Sequence, residues 1–225
     1  MKRKIIKTSD GSTTIFLEDW NEHYHSKHGA IQEAYHVFIK SGLHPFIEKH
    51  NPERIAVLEI GFGTGLNAFI TYLEAKRLSK FINYEGVEAY PVEKEEVKLL
   101  NYVEELDAKQ YQSDFDRMHE SSWDEFCDIS NHFRLKKRKQ LFHEINDENS
   151  FDIIYFDAFG ARVQPELWEV DIFRKMYAAL KNNGLLVTYA AKGSVRRAML
   201  EVGFSVEKLP GPPGKREMLR AVKAL

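Results

Sequence analysis

A chain of 225 residues with 43% hydrophobic, 29% charged and 12% aromatic residues and a formal net charge of −2 has the balance of a globular protein with a full core, which excludes a disordered or fibrous chain. Its one cysteine, Cys127, excludes an intrachain disulfide and a zinc site built from several thiolates. No apolar run approaches the roughly 18 residues of a membrane span, and the basic start Met1-Lys2-Arg3-Lys4 lacks the apolar stretch of a secretory signal, so a soluble, cytoplasmic protein with no membrane partner is expected.

In chain order, residues 5–7 and 14–17 flank the turn-forming pair Asp10-Gly11 and predict a hairpin at a lid or edge. Ala30, Ile31, Ala34, Val37 and Phe38 mark an amphipathic helix that Gly42 is expected to end. These elements form an N-terminal extension over residues 1–50, with the main domain over 51–225. There the pattern changes to a buried strand over 55–58, a glycine-rich loop, a helix over 66–75, a strand over 82–87 and a helix after Pro91, which together read as a βαβ unit. Residues 101–150 carry a weaker pattern, with a helical fragment over 123–129 and an extended stretch over 133–142 that contains Lys136-Lys137-Arg138-Lys139. Surface charge being the default, that run reads as a solvated face.

The pattern then returns with a strand over 151–156, a helix over 167–180, the turn Asn182-Asn183-Gly184, a strand over 185–189 and a helix over 194–202 ending at Gly203. Strands over 205–209 and 217–222, joined by a short Pro/Gly loop, must pair antiparallel. The expected architecture is therefore α/β and Rossmann-like, a mostly parallel sheet with a C-terminal antiparallel hairpin.

The loop Glu59-Ile60-Gly61-Phe62-Gly63-Thr64-Gly65 carries the first chemistry. Glycines after a first strand let the chain turn tightly and a ligand approach closely, beside the exposed N–H groups of the next helix. The dinucleotide fingerprint G-x-G-x-x-G needs a glycine where Leu66 stands, and the spacing here is G-x-G-x-G. Glu88 ends the second strand about twenty residues on, where a carboxylate can accept both hydroxyls of a ribose. Carboxylates suit a sulfonium cation and repel a pyrophosphate, which favours S-adenosylmethionine over NAD. Glu144, after the third strand, is a candidate for the adenine amino group, against the plainer reading of a solvated acidic loop.

Asp157 follows the strand 151–156 at the carboxyl edge of the sheet, where ligands bind in open α/β folds. In Asp157-Ala158-Phe159-Gly160 a carboxylate and an aromatic ring lie two residues apart, as in the acidic or amide Pro-Pro-aromatic loops of amine methyltransferases. Asp157 can accept amine hydrogens and aim the nitrogen lone pair, and Phe159 can stack on a base. The plainer reading of Asp157 is a helix cap or turn residue.

At these residues the chain resembles the MnmD family, the counterpart of the methyltransferase half of the bifunctional tRNA-modifying enzyme MnmC. The resemblance rests on Asp10-Gly11-Ser12, Gly29-Ala30-Ile31-Gln32-Glu33, the glycine loop continued through Leu66-Asn67, Phe156-Asp157-Ala158-Phe159 with Pro165-Glu166-Leu167-Trp168, Gly193-Ser194-Val195-Arg196-Arg197, and Gly214-Lys215-Arg216-Glu217-Met218. It implies a class I S-adenosylmethionine-dependent methyltransferase that converts 5-aminomethyl-2-thiouridine to 5-methylaminomethyl-2-thiouridine at the tRNA wobble position. Asp157 is then the catalytic aspartate, and Glu59, Gly61, Gly63, Thr64, Gly65, Asn67, Glu88 and Glu144 are the cofactor-binding set. The bifunctional relatives add a flavin-dependent oxidase. With no second nucleotide-binding loop, this chain is expected to carry the methyl-transfer step alone, with separate upstream modification enzymes as its partners in sequence. One departure is that Gly160-Ala161-Arg162 follows Phe159 where family members often read Ala-Pro, which leaves substrate fit around that loop open.

The tRNA anticodon region is the expected partner. Lys192, Arg196 and Arg197 after the fifth strand, and Lys215 with Arg216 before the last, are candidates for phosphate contacts, with Phe159 holding a flipped base. His23, His25 and His28 are spaced like metal ligands, but no carboxylate or cysteine cluster completes a site, and no metal is expected. Trp168 reads as a packing residue. Two rival readings stand: a small-molecule amine methyltransferase or aminopropyltransferase, and a non-catalytic cofactor- or RNA-binding subunit.

Overall fold

A computed structural model describes residues 2–224. The first residues form an antiparallel sheet of β1 (Arg3–Lys7), β2 (Thr13–Leu17) and β3 (Glu22–His23), with Lys7 opposite Thr13 across the expected turn. The helix that follows is longer than its amphipathic pattern predicts. It runs as α1 (Ala30–Ala34), a π-helical stretch Tyr35–Leu43, and α2 (His44–His50). Gly42 does not end it. A Cβ there would lie 3.0 Å from Val187 Cγ2, so the glycine is needed for close approach of the helix to the sheet. The helix ends at Asn51, whose left-handed backbone lets its N–H return to the Ile47 carbonyl at 2.8 Å.

The main sheet is built from β4 (Arg54–Ile60), β5 (Phe81–Val87), β6 (Phe126–Ser130), β7 (Phe133–Arg138), β8 (Phe151–Phe156), β9 (Leu180–Thr188), β10 (Phe204–Pro210) and β11 (Glu217–Lys223). Its order is β10-β11-β9-β8-β4-β5-β7-β6. The run β9-β8-β4-β5-β7 is parallel, while β11 is antiparallel to both its neighbours, β9 and β10. This is the Rossmann-like sheet with its reversed terminal strand that the pattern predicts. The helices α3 (Leu66–Leu78), α4 (Lys94–Val97), α5 (Tyr102–Glu105), α6 (Gln112–Glu120), α7 (Val170–Ala179) and α8 (Gly193–Glu201) supply the connections.

Each face of the sheet has its own core. One is closed by the helix of residues 30–50 with α3 and α6, where Phe38 packs on Tyr155 at 5.0 Å between ring centroids. The other is closed by α7 and α8 around Phe156, Phe173 and Met199. Burial of these apolar faces is the main source of stability, at about 25 cal/mol per Å² removed from water.

The middle of the chain differs most from expectation. The helical fragment read over 123–129 is instead largely strand: residues 126–130 form β6, which pairs antiparallel with β7 through a register shift between Asp128 and Ser130. The run Lys136–Lys139 is not a uniform solvated face. Along β7 burial alternates, and Lys137 points inward at 2% exposure, donating from Nζ to the His119 carbonyl at 2.6 Å and lying 5.0 Å from the Trp123 ring centre. The period-2 geometry of a strand puts neighbouring lysines on opposite faces whatever their charge. The supposed turn 182–184 lies inside β9, where the register against β8 shifts instead of the strand breaking.

Candidate active site

Pairing sets the geometry of the site. Ile60 stands opposite Val87 on one side and Phe156 on the other, so the carboxyl ends of β4, β5 and β8 are level and the three loops leaving them converge. They are laced together. The N–H groups of Gly61 and Phe62 both donate to the Val87 carbonyl at 3.0 Å, and the Asp157 N–H donates to the Ile60 carbonyl at 2.9 Å. Gly61 has a φ of 91°, and a Cβ on it would fall 2.7 Å from the Asp157 carbonyl oxygen. Only glycine allows the two loops to touch. Glu88 accepts the Gly63 N–H at 3.0 Å and the Tyr90 N–H at 2.9 Å, which holds the glycine loop open and leaves acceptor capacity on the carboxylate.

Beneath the loops, Glu59 is fully buried, and burial pushes its carboxyl well above the ordinary range. The side-chain amide of Asn67, on the first turn of α3, donates at 2.8 Å to Glu59 Oε1 and at 2.8 Å to Asp157 Oδ2. One amide thereby fixes both acids. Asp157 is held up at about 7, first by burial and then by the charge of Glu33, against the lowering effects of Asn67 and Lys215. A carboxyl that changes charge near neutral pH is suited to exchanging a proton with a substrate.

Two cavities open onto Asp157. The first, about 540 Å³, has Gly61, Gly63, Asn67 and Glu88 in its wall and Trp20, Tyr24 and His25 as a roof from the turns on either side of β3. The second, about 610 Å³, is lined by Glu22, Glu33, Tyr189 and Lys215. Tyr24, His25, Asp157, Ala158 and Phe159 belong to both and form the wall between them. Phe159 meets Tyr24 and Trp20 edge to face, at 5.0 and 5.7 Å between ring centres. The indole N–H of Trp168 donates to the Phe159 carbonyl at 2.7 Å, so Trp168 packs and positions from behind. His25, pushed down to about 4 by burial, is neutral at pH 7 and shares hydrogen bonds with Thr14 at 3.1 Å and Thr64 at 3.5 Å.

Of the sequence-predicted cofactor residues, Gly61, Gly63, Asn67 and Glu88 face the first cavity together with Asp157 and Phe159. Glu59 lies under its floor. Thr64 is fully buried and accepts the Tyr102 hydroxyl at 3.0 Å, and Gly65 starts α3. Both shape the loop without lining the cavity. Glu144 stands outside it: its carboxylate turns back to accept the Leu141 N–H at 2.9 Å, closing a short 3-10 turn. Lys215 points into the second cavity, whereas Lys192, Arg196, Arg197 and Arg216 line neither, and all but the half-buried Arg196 are exposed. Sequence reasoning missed the roof residues Trp20 and Tyr24, and it missed Glu22, Glu33 and Tyr189. Glu33 lay in a segment that carried the family resemblance; the roof had only the signal of aromatics in a polar stretch.

The donor set fits S-adenosylmethionine. Asn67 Oδ1, in the cavity wall, is a buried acceptor without a partner among the described residues, which suits a cationic ligand. Glu88 has the place and the free lone pairs for ribose hydroxyls.

Comparison with known proteins agrees. Residues 110–224 match a family described as S-adenosyl-L-methionine-dependent methyltransferase. The chain is 30% identical over 221 residues to the tRNA 5-methylaminomethyl-2-thiouridine biosynthesis bifunctional protein MnmC of Leptospira interrogans, across 94% of this chain and 34% of that protein. It is 27% identical to MnmC of Polaromonas naphthalenivorans, across 98% and 36%. The chain thus spans about a third of the length of these relatives. Among solved structures, MNMC2 from Aquifex aeolicus superposes with a TM-score of 0.77 at 24% identity, covering 100% of this chain and 71% of that one. Spermidine synthase from Thermotoga maritima follows at 0.59 and 16%, covering 99% and 68%. At these identities the structures speak for the fold alone. Fold, site and family match together place the chain in the S-adenosyl-L-methionine-dependent methyltransferase family.

Proposed function

We propose that this chain methylates the primary amine of 5-aminomethyl-2-thiouridine at the tRNA wobble position, giving 5-methylaminomethyl-2-thiouridine. The observation that carries this reading is the wall shared by two cavities, with Asp157 in it. A methyl donor in the first and an amine in the second would meet across Asp157. The similarity to MnmC, a protein of tRNA 5-methylaminomethyl-2-thiouridine biosynthesis, supports the choice of acceptor.

When bound, S-adenosylmethionine supplies a methyl group on a sulfonium, whose sulfur keeps the electron pair of the carbon–sulfur bond as the carbon–nitrogen bond forms. The chain's own residues prepare the nitrogen. An amine arrives mostly as an ammonium, and ionised Asp157 takes one proton from it and accepts a remaining N–H, which turns the lone pair toward the first cavity. Phe159 and Tyr24 provide aromatic faces for the flipped base. Arg196, Arg197, Lys192 and Arg216 hold phosphates outside the cavity.

A small amine is the second reading, favoured by the three carboxylates Glu22, Glu33 and Asp157 in one cavity. Label transfer from S-adenosylmethionine separates the two. Incubation with undermodified tRNA bearing the aminomethyl group, and in parallel with putrescine and spermidine, should label the tRNA alone and yield the methylaminomethyl nucleoside. Label in the polyamines and none in tRNA would reverse the assignment.

A further inference from the structure

Two segments far apart in sequence meet in the second cavity. Glu33 of α1 and Lys215 of the β10–β11 loop, 182 positions apart, form an ion pair, and Glu33 is only 7% exposed. The other oxygen of Glu33 accepts the Ser26 N–H at 2.7 Å, which ties the pair to the roof segment. Lys215 Nζ sits 3.8 Å from the centre of the Tyr189 ring, a close cation–π contact. The Tyr189 hydroxyl in turn donates at 2.8 Å to the carbonyl of Ala158, the residue after Asp157. The chain of contacts therefore runs from α1 through Lys215 and Tyr189 to the loop of Asp157.

Resting on the reading of Asp157 as proton acceptor, we propose that Glu33 and Lys215 are a positioning pair that sets the charge state of Asp157 and braces its loop. Neither touches the reacting atoms in this role. The charged and titratable groups around Asp157 are Glu33 from α1, Lys215 from the β10–β11 loop, Glu59 from β4, Tyr84 from β5, Tyr189 after β9, Arg162 from its own loop, and Glu22, His23, Tyr24, His25 and Lys27 from the roof segment, with neutral Asn67 from α3. His25 and Tyr189 are uncharged at neutral pH, the first lowered and the second raised by burial. Arg162 is already paired with Glu22, so Lys215 is the cation that offsets Glu33 beside Asp157. Without it Glu33 would stand as an unscreened anion, and Asp157 would hold its proton to higher pH.

The test is the pH profile of methyl transfer to aminomethyl-bearing tRNA. Lys215→Met should move the acid limb up by roughly one pH unit, Glu33→Gln should move it down, and the double variant should return it close to the wild-type position. Lys215→Arg keeps the charge and should leave the limb in place. Loss of rate at every pH with an unmoved limb would mean a purely structural pair and would overturn the proposal. So would an unmoved limb with a weaker salt dependence of tRNA binding, the signature of a phosphate contact by Lys215. Asp157→Asn, run alongside, separates the levels of the account: if that variant turns over normally the proton-acceptor reading fails, and if it is inactive while the limbs stay fixed only the pair fails.

Discussion

Asp157 carries a cost in stability that follows from its burial. Its folded-state value near 7 is raised above that of an unfolded aspartate, chiefly by burial, so the folded protein binds the proton more tightly than the unfolded chain. The stability this contributes is complete below about pH 4 and is lost as pH rises through about 7. Asp157→Asn should therefore stabilise the protein at pH 8, by on the order of 2–4 kcal/mol, with the gain vanishing near pH 4. Denaturant melts at the two pH values check this. In the wild type the rate of methyl transfer should fall about tenfold per pH unit below pH 7. At this scale much of the site was legible. Glu59, Gly61, Glu88 and Asp157 stand at strand ends, where local pattern alone predicts a ligand. Glu33 was not legible as a site residue, because its meaning lies in a partner 182 positions away. Lys137 was misread because charge hid the strand alternation that buries it.

Among elements, the N-terminal sheet matters most. The turns around its last strand supply the roof of the cavities, and one side chain latches them to the loop of Asp157. The Arg162 guanidinium donates from Nη2 to the carbonyls of Trp20 and Asn21 at 3.1 and 3.0 Å and to Glu22 at 2.9 Å. Arg162→Ala should loosen the roof and raise the dissociation constant for S-adenosylmethionine by about 3- to 10-fold while moving the melting temperature little, since the ion pair is exposed. Calorimetric titration of the cofactor would show it, and an unchanged affinity would mean that the roof needs no latch. The hairpin itself was readable from Asp10-Gly11, but its position over the site was not, because nothing local sets where an exposed hairpin docks. Within residues 101–150 the extended stretch 133–142 does contain β7, but the rest was hard to read for a related reason: the helices are short, and β6 exists only by pairing with β7.

For the whole molecule, the doubly wound sheet brings the two cavities to one edge, and the exposed cations at the start of α8 lie outside them. Net charge gives no hint of this, since −2 overall is compatible with a local basic face. Replacing Arg196 and Arg197 by Ala should weaken tRNA binding and reduce the salt slope of log affinity by up to about two, leaving cofactor binding unchanged. Filter binding across a salt series would detect it, and an unaltered slope would remove both residues from the RNA face. In the proposed reaction Asp157 takes the amine proton where the cavities meet. That step is tested most directly by the turnover of Asp157→Asn on aminomethyl-bearing tRNA, with cofactor affinity measured on the same preparation. A loss of at least about 100-fold in rate is expected, with the cofactor bound as tightly as by the wild type; turnover close to wild type would rule out Asp157 as the proton acceptor.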